Sequence, residues 1–278
     1  MLSILHIARV LCRSSSCPAA AFVSLNRAKR NHKERLRQTR KTREHDPLKR
    51  WQEPTFNQSM LLVHDGSRAN PDCYARGKAS TIPTAGGSMP HTKLACPPTG
   101  SMAATVRPNL VFFAGKASAG VRSTIQSLIL KHNLSTFGTT HFEYPDYVCA
   151  MRASEFCMAP RGNAAWSPRL EESIANGCIP VIVADKYDPP FVHILNYSSF
   201  SVQIKQNNIG SLQRVLGNLT RADRDALRAN GQRVRHLFSY NESGVDASAL
   251  VAFEMWARLN GHMQDVDRSS ATHSHASS

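Results

Sequence analysis

The chain has 278 residues, of which 41% are hydrophobic and 19% are charged, and its formal net charge is +14. This composition excludes a chain that is disordered throughout, because it contains enough apolar material for a folded core. Much of the positive charge lies in residues 1–60, where thirteen Lys and Arg stand against four Asp and Glu. After Leu25 large apolar residues become rare, and we expect a solvated, disordered basic arm here rather than a folded element.

The basic arm has two interpretations. A run of arginines suits nucleic acid, but a plain solvated segment is the commoner meaning of such a composition. The chain beyond the arm lacks the interleaved basic and aromatic residues that a nucleic-acid surface favours. We therefore do not expect a nucleic-acid partner.

The first residues do not form a convincing transmembrane helix. The apolar run at residues 2–12 is interrupted by His6 and Arg9 and falls short of the roughly 20 residues that a spanning helix needs. Three accounts stay open: a signal peptide cleaved near residues 17–21, a transit peptide without acids before Glu34, and a start that omits the true N-terminal half.

The middle of the chain changes from loops to a regular pattern. Residues 61–105 are rich in Gly, Pro and Ser and are predicted to be loops, whereas residues 106–261 alternate between strand and helix signals. The first such unit is an apolar strand at 110–113, a small-residue loop containing Gly115 and Lys116, and a helix at 121–132. A glycine turn at a strand end can approach a phosphate, so this loop is a candidate contact for a ligand.

A helix is predicted at 146–154, and its Tyr147 and Met151 are expected in the core rather than at a ligand. A second unit of strand, loop and helix follows. A strand is predicted at 156–159, and Ser167 then offers an N-cap with Pro168 at the first helical position. The pair Asn176–Gly177 ends this helix, and a β-branched strand follows at 179–183. Strands joined through a helix are almost always parallel. The fold class is therefore α/β, with a Rossmann-like parallel sheet flanked by helices.

The loop between the second strand and its helix is the main candidate site. It lies at the carboxyl edge of the predicted sheet, where ligands bind in such folds. The start of the helix together with Arg161 and Arg169 offers positive charge to a phosphate or diphosphate. Glu171 or Glu172, one turn further along, could accept hydrogen bonds from sugar hydroxyls. The pattern predicts a site for a nucleotide or a nucleotide-sugar.

Several segments carry a family resemblance. They read RPNLVFFAGK at 107–116, FCMAPRG at 156–162, SPRLEESIANGCIPVIVAD at 167–185 and PPF at 189–191, with Arg122, Tyr147 and Met151 between them. This co-linear series is similar to the signature region of exostosin-like glycosyltransferases, glycosyltransferase family 47. The resemblance implies a GT-B fold of two facing Rossmann-like domains, of which residues 106–261 would be the C-terminal half, an inverting transfer, and usually the Golgi.

The resemblance also implies roles for individual residues. Glu172 stands where the family's Arg-Leu-x-acid motif places its acidic residue, which favours Glu172 over Glu171 as the partner of the ribose. The donor would be a UDP- or GDP-linked sugar, the acceptor a glycan or glycoprotein, and no metal or other cofactor is required. We name no catalytic base, since in a two-domain enzyme this group can come from the other half. The expected donor-binding residues are Gly115, Lys116, Arg161, Gly162, Ser167, Arg169 and Glu172.

Completeness of the acceptor side is a separate question. Residues 70–84 faintly resemble the end of the family's first domain, with Ala79 where an Asp is usual. Residues 61–105 would then be a remnant of that domain. This favours, as an alternative to an active enzyme, a non-catalytic partner that binds nucleotide-sugar in a hetero-oligomer with another glycosyltransferase.

Cysteines and glycosylation sequons bear on the compartment. Seven scattered cysteines do not suggest a disulfide framework or a zinc site, but Cys157 and Cys178 flank neighbouring strands and could bridge. Five Asn-x-Ser/Thr sequons, at 57, 133, 196, 218 and 241, are compatible with a secretory lumen.

The C-terminal part is predicted to be helical. Thr220 and Asp223 form a capping-box pattern that starts a helix running to Leu237, and a further helix is expected at 245–259. Residues 262–278 are rich in Ser and His and are predicted to be an untethered tail.

Overall fold

The computed structural model describes residues 79–83, 96, 107–115, 120–135, 146–162, 165–240 and 244–260, together with the backbone of short strands further upstream. The upstream strands are Ile7–Ala8 (β1), Arg13–Ser14 (β2), Cys17–Pro18 (β3), Ala20–Ser24 (β4) and Ser59–Val63 (β5), and Ala79–Thr81 is β6. β1, β4 and β5 pair antiparallel and β6 joins β5 in parallel, while β2 and β3 form a separate antiparallel pair. The domain boundaries at residues 60, 105 and 261 stay predictions.

A four-stranded parallel sheet organises the rest of the described chain. Its strands are Asn109–Phe112 (β7), Ser154–Pro160 (β8), Ile179–Val183 (β9) and Val202–Gln203 (β10), and they lie in the order β10-β9-β8-β7. Val111 lies opposite Phe156, and Phe156 lies opposite Ile179. All three strand pairs are parallel, so the carboxyl ends of the four strands lie at one edge of the sheet.

Helices cover the sheet. They are Val121–Lys131 (α1), Asp146–Arg152 (α2), Arg169–Ala175 (α3), Leu212–Gly217 (α4), Arg221–Val234 (α5) and Ala247–Leu259 (α6), with 3-10 turns at Tyr197–Ser199, Gln206–Ser211 and Arg235–Phe238. None of the described helices combines the length and the apolar character needed to cross a lipid bilayer.

Hydrophobic clusters lie on both faces of the sheet, as expected for parallel strands. One cluster joins alternate residues of β7, β8 and β9 to α1 and α4. The opposite face packs against α2, α3 and the segments around Phe191 and Phe238. The structure thus confirms the predicted α/β class with its parallel sheet between helices.

The strands β1–β6 were not predicted, since they lie in residues that were expected to be a basic arm or loops. Beyond residue 107 the element boundaries follow the sequence closely, with two differences. The helix at Asp146 ends at Arg152, because Ser154 already pairs with Asn109 in the sheet. The edge strand Val202–Gln203 was not predicted, since two residues are too few to show a period. The capping box is present as expected: Thr220 and Asp223 exchange both hydrogen bonds at the start of α5.

Within the described residues, two disulfides tie the elements together. Cys157 on β8 is bonded to Cys178, which immediately precedes β9, and their Cα atoms are 5.8 Å apart. The second joins Cys96 to Cys149 on α2, 53 residues apart in sequence, a pair that the sequence did not single out.

Candidate functional site

The candidate site lies where the adjacent parallel strands β7 and β8 end. Ala114 and Gly115 follow β7, and Arg161 and Gly162 follow β8, at the same edge of the sheet. This is the carboxyl edge, at which open parallel sheets bind their ligands. The two loops are bridged by arginine side chains that reach them from α1 and α3.

Arg169, the first residue of α3, is fixed to the β7 loop. Its Nε and Nη2 donate to the carbonyl oxygen of Ala114 at 2.9 and 2.6 Å. The guanidinium carbon lies 6.0 Å from the ring centroid of Phe113, within cation–π range. These contacts hold the charged group in one place before any ligand arrives.

Arg122, in the first turn of α1, is fixed to the β8 loop. Its Nε donates to the carbonyl oxygen of Arg161 at 3.2 Å. A Cβ at Gly162 would lie 3.5 Å from Arg122 Nη2, so the guanidinium runs beside the glycine backbone. Burial, and then the charge of Arg169, hold the pKa of Arg122 below its ordinary value. Two like charges are therefore close to one another.

Both arginines meet at Gly115. A Cβ placed there would lie 2.8 Å from Arg169 Nη2 and 3.8 Å from Arg122 Nη1. Within the part of the chain that the structure describes, neither arginine forms an ion pair. Two guanidinium groups without a carboxylate between two glycine-containing loops make a site suited to an anion, above all to a phosphate or diphosphate.

Glu172 lies one turn beyond Arg169 on α3 and is 8% exposed. Tyr147, the second residue of α2, donates its hydroxyl to Glu172 Oε2 at 2.6 Å. Burial and the neighbouring carboxylate raise the pKa of Tyr147, so the phenol stays a donor. Glu171 is also buried, and its charge raises the pKa of Tyr240 after the larger effect of burial. For Tyr197, burial and then Tyr187 raise the pKa more than Glu171 does.

The start of α3 differs from the sequence prediction. Pro168 has helical angles (φ −59°, ψ −19°), as expected for the first helical position, but Ser167 makes no side-chain cap. Its carbonyl instead accepts from the Leu170 N–H at 3.1 Å, and its buried hydroxyl has no hydrogen-bond partner among the described residues. Because α3 has seven residues, the arginines supply more of the local positive charge than its dipole does.

The expected site residues fall into three groups. Gly115, Gly162 and Arg169 lie together with Arg122, whereas Glu172 lies one turn away beside Tyr147. The backbone of Arg161 contributes through its carbonyl oxygen, and Ser167 flanks the loop. Lys116 lies outside the described residues.

Two residues of the site were not singled out as ligand contacts from the sequence. Arg122 and Tyr147 both stand within the family-like series, but their distance from the central stretch hid their role. Tyr147 was expected in the core, and its ring is packed there, edge-on to Phe112 with centroids 5.3 Å apart. Only its hydroxyl reaches the site, which a pattern of apolar residues does not reveal.

Comparisons with known proteins match one family model and several relatives. A family model described as the exostosin GT47 domain matches residues 41–219. A probable glycosyltransferase of Arabidopsis thaliana is 30% identical over 229 residues, which is 72% of this chain and 46% of the relative. Another Arabidopsis thaliana relative with the same description is 30% identical over 74% of this chain and 41% of its own length.

Other matches are shorter or more distant. A probable glucuronosyltransferase of Oryza sativa subsp. japonica is 39% identical over 87 residues, 31% of this chain and 20% of the relative. Among solved structures, a sucrose-phosphate synthase from Thermosynechococcus elongatus covers 60% of this chain and 43% of its own, with 19% identity and a TM-score of 0.33. The chain spans less than half the length of the two Arabidopsis relatives. The family match across residues 41–219, more than half of the sequence, shows that this protein belongs to the exostosin GT47 family of glycosyltransferases.

Proposed function

We propose that this domain binds a nucleoside diphosphate sugar, linked to UDP or GDP, and serves its transfer with inversion to a glycan or glycoprotein acceptor. The observation that carries the proposal is the meeting of Arg122 and Arg169 at Gly115, at the carboxyl edge of the sheet. Family membership supports a glycosyl donor rather than another phosphate ligand. On this account the domain corresponds to the donor-binding half of a GT-B enzyme.

The arginines would act on the leaving group. Breaking the bond between sugar and diphosphate develops negative charge on the diphosphate, and two fixed guanidinium groups stabilise that charge. Both are already anchored by backbone carbonyls, so little reorganisation is needed when the bond breaks. Glycines at 115 and 162 leave room for the guanidinium groups of Arg169 and Arg122 beside the backbone. No metal is required for this stabilisation.

Glu172 would bind the ribose. A carboxylate accepts hydrogen bonds from adjacent hydroxyl groups, and Glu172 lies one helical turn beyond Arg169. No catalytic base is named, because in a two-domain enzyme the group that activates the acceptor can come from the acceptor half.

The second candidate function is a non-catalytic partner. It would hold nucleotide-sugar while another glycosyltransferase supplies the acceptor side. Such a chain would bind the diphosphate without transferring the sugar by itself.

The proposed compartment is the Golgi, in its lumen or at its membrane. Two disulfides support an oxidising compartment, where such bonds persist. The five glycosylation sequons agree with it. Mapping N-linked glycans on the expressed protein tests this, since an unmodified chain with reduced cysteines would contradict a secretory location.

Calorimetry with UDP, GDP and ADP on the full chain tests the donor site. We expect one of the first two to bind, and Arg122→Gln and Arg169→Gln each to weaken it by about tenfold, roughly 1.4 kcal/mol. Arg221→Gln is the control, since Arg221 lies on the surface of α5 with its side chain 71% exposed. Equal binding by all variants, or none by a folded wild type, contradicts the donor site. Binding without sugar transfer to glycan acceptors favours the non-catalytic partner.

A further inference from the structure

The carboxylate of Glu172 is held at one oxygen only. Oε2 accepts the Tyr147 hydroxyl at 2.6 Å. Among the described residues, no second side chain binds Glu172, and Glu172 forms no ion pair. Its Oε1 is not one of the fully buried oxygen atoms that lack a hydrogen-bond partner. One oxygen is therefore fixed, and the other has no hydrogen-bond partner among the described residues.

Tyr147 itself is held firmly. Its ring packs against a small cluster that contains Phe112, Met151 and the Cys157–Cys178 disulfide. The edge-on contact with Phe112 orients the ring, so the hydroxyl has a defined position. A short bond from a rigid phenol to a flexible glutamate restricts the glutamate rotamers.

Placement of the pair matches the order of groups in the proposed ligand. Arg169 marks the phosphate site, and Glu172 follows it three residues later on α3 with the Tyr147 hydroxyl bonded to its carboxylate. The ribose is the next group after the phosphates in a nucleoside diphosphate. Glu172, one turn further along α3, is the carboxylate that this ribose would meet.

We propose that Tyr147 is a positioning residue of the donor site: by binding Oε2 of Glu172, it turns Oε1 toward the ribose hydroxyls of the nucleotide. This inference rests on the proposed function. It assigns Tyr147 a role beyond packing, because the hydroxyl, and not the ring, decides how Glu172 is presented. Replacing only the hydroxyl therefore separates the two roles.

The neighbouring glutamate provides a matched control. The charge of Glu171 contributes to the raised pKa of Tyr197 and of Tyr240, but the hydroxyls of these tyrosines donate to the carbonyl oxygens of Pro190 and Pro83. Tyr240→Phe thus removes a half-buried phenol hydroxyl that is influenced by the neighbouring glutamate of α3, without touching Glu172. Any loss of stability or affinity that follows from removing a tyrosine hydroxyl in general should appear in both Tyr147→Phe and Tyr240→Phe.

The test compares UDP or GDP, whichever binds more tightly, with its 2′,3′-dideoxy analogue. Calorimetry on the full chain gives the ratio of the two dissociation constants, which measures the contribution of the ribose hydroxyls. We expect a ratio of about tenfold or more in the wild type, since a charged acceptor strengthens a hydrogen bond. Glu172→Gln should bring the ratio close to one.

Tyr147→Phe should lower the ratio by about threefold while leaving the affinity for the dideoxy analogue unchanged. The double variant Tyr147→Phe/Glu172→Gln should be no worse than Glu172→Gln alone, because Tyr147 acts through Glu172. Tyr240→Phe should keep the wild-type ratio.

Three results would overturn the inference. One is a Tyr147→Phe variant that keeps the wild-type ratio of dissociation constants. Another is a Tyr147→Phe variant that loses affinity equally for both ligands, which would indicate damage to the fold rather than to the ribose contact. The third is a wild type that binds both ligands equally, which refutes the ribose role while the phosphate site stands. A wild type that binds no nucleoside diphosphate refutes the proposed function, and this inference with it.

Discussion

The guanidinium group of Arg169 fills the space that a side chain at Gly115 would need. A Cβ at Gly115 would lie 2.8 Å from Arg169 Nη2, closer than such atoms approach, and φ is +153°. The glycine therefore allows Arg169 to bind the carbonyl oxygen of Ala114 and to face the site. Adding even a methyl group at Gly115 should therefore shift the Arg169 guanidinium away from the proposed phosphate site.

We expect Gly115→Ala to weaken binding of the nucleoside diphosphate by about tenfold, because the new methyl group displaces the Arg169 guanidinium. Calorimetry measures this directly. Gly244→Ala is the control: Gly244 also has a positive φ, +98°, but a Cβ there has no neighbour within 4 Å. Both variants place an alanine at a positive φ, but only Gly115→Ala brings the new methyl group against another side chain. If both bind like the wild type, Gly115 does not set the position of Arg169.

The disulfides predict a difference in stability. Cys157 and Cys178 are 21 residues apart and Cys96 and Cys149 are 53 apart, so the second bond closes the longer loop in the unfolded chain. In the chain-entropy account, replacing each pair by Ser should lower the free energy of unfolding by about 3 and about 4 kcal/mol respectively. Urea unfolding of the two double variants, with mass spectrometry to confirm the bonds, checks this. No loss in either variant would contradict a structural role for these bonds.

Much of the fold could be predicted because its signals are local. The unit from β8 to β9 contains a proline at the start of α3, a glycine after its end and a β-branched strand. The order and type of its elements therefore follow from about 30 residues. Thr220 and Asp223 likewise predict the start of α5 from four consecutive residues. Where the local signals agree with one another, the predicted elements are present in the structure.

The contacts that were missed are distant in sequence or minor in size. Cys96 finds Cys149 across 53 residues, and no spacing rule connects them. Arg122 reaches Arg161 across 39 residues, and Tyr147 reaches Glu172 across 25, each through a single polar group at the end of a longer side chain. Such pairings depend on how helices α1 and α2 pack on the sheet, which the periodicity of each helix does not specify.

At the opposite edge of the sheet, charges are unevenly balanced. Glu155 pairs with Arg228, while Arg107 is buried nearby, and burial followed by the charge of Arg228 lowers the pKa of Arg107 to about 10. Glu155 opposes that shift. Glu155→Gln should therefore cost on the order of 2 kcal/mol at pH 7, because it leaves excess positive charge partly buried.

The loss caused by Glu155→Gln should depend on pH. A base whose pKa is lower in the folded state binds fewer protons there, so stability relative to the wild type recovers as the pH rises through about 10. Urea unfolding at pH 7 and near pH 10 measures the difference. Arg221→Ala, which breaks an exposed pair with Asp225, should change stability by no more than about 0.5 kcal/mol. A loss in Glu155→Gln that is the same at both pH values would refute the coupling.

The capping box of α5 predicts an acid-dependent contribution to stability. Thr220 binds the Asp223 N–H through its hydroxyl oxygen, and its own N–H and hydroxyl donate to Asp223 Oδ2 at 2.8 and 2.6 Å. These bonds, the hydroxyl first, lower the pKa of Asp223 below its ordinary 3.8. A carboxyl with a lowered pKa stabilises the fold above that ordinary value, and the contribution is lost as the pH falls through the folded-state pKa.

Thr220→Ala should lower the free energy of unfolding at pH 7 by about 1 kcal/mol, the usual value of an N-cap hydroxyl. Thr220→Ser keeps the hydroxyl and should stay close to the wild type. Urea unfolding at pH 7 and in the acid range measures both effects: the difference between Ala and Ser should shrink in acid, because protonated Asp223 no longer accepts as strongly. Equal losses in Ala and Ser would mean that the threonine methyl group, and not the capping hydroxyl, supports the start of α5.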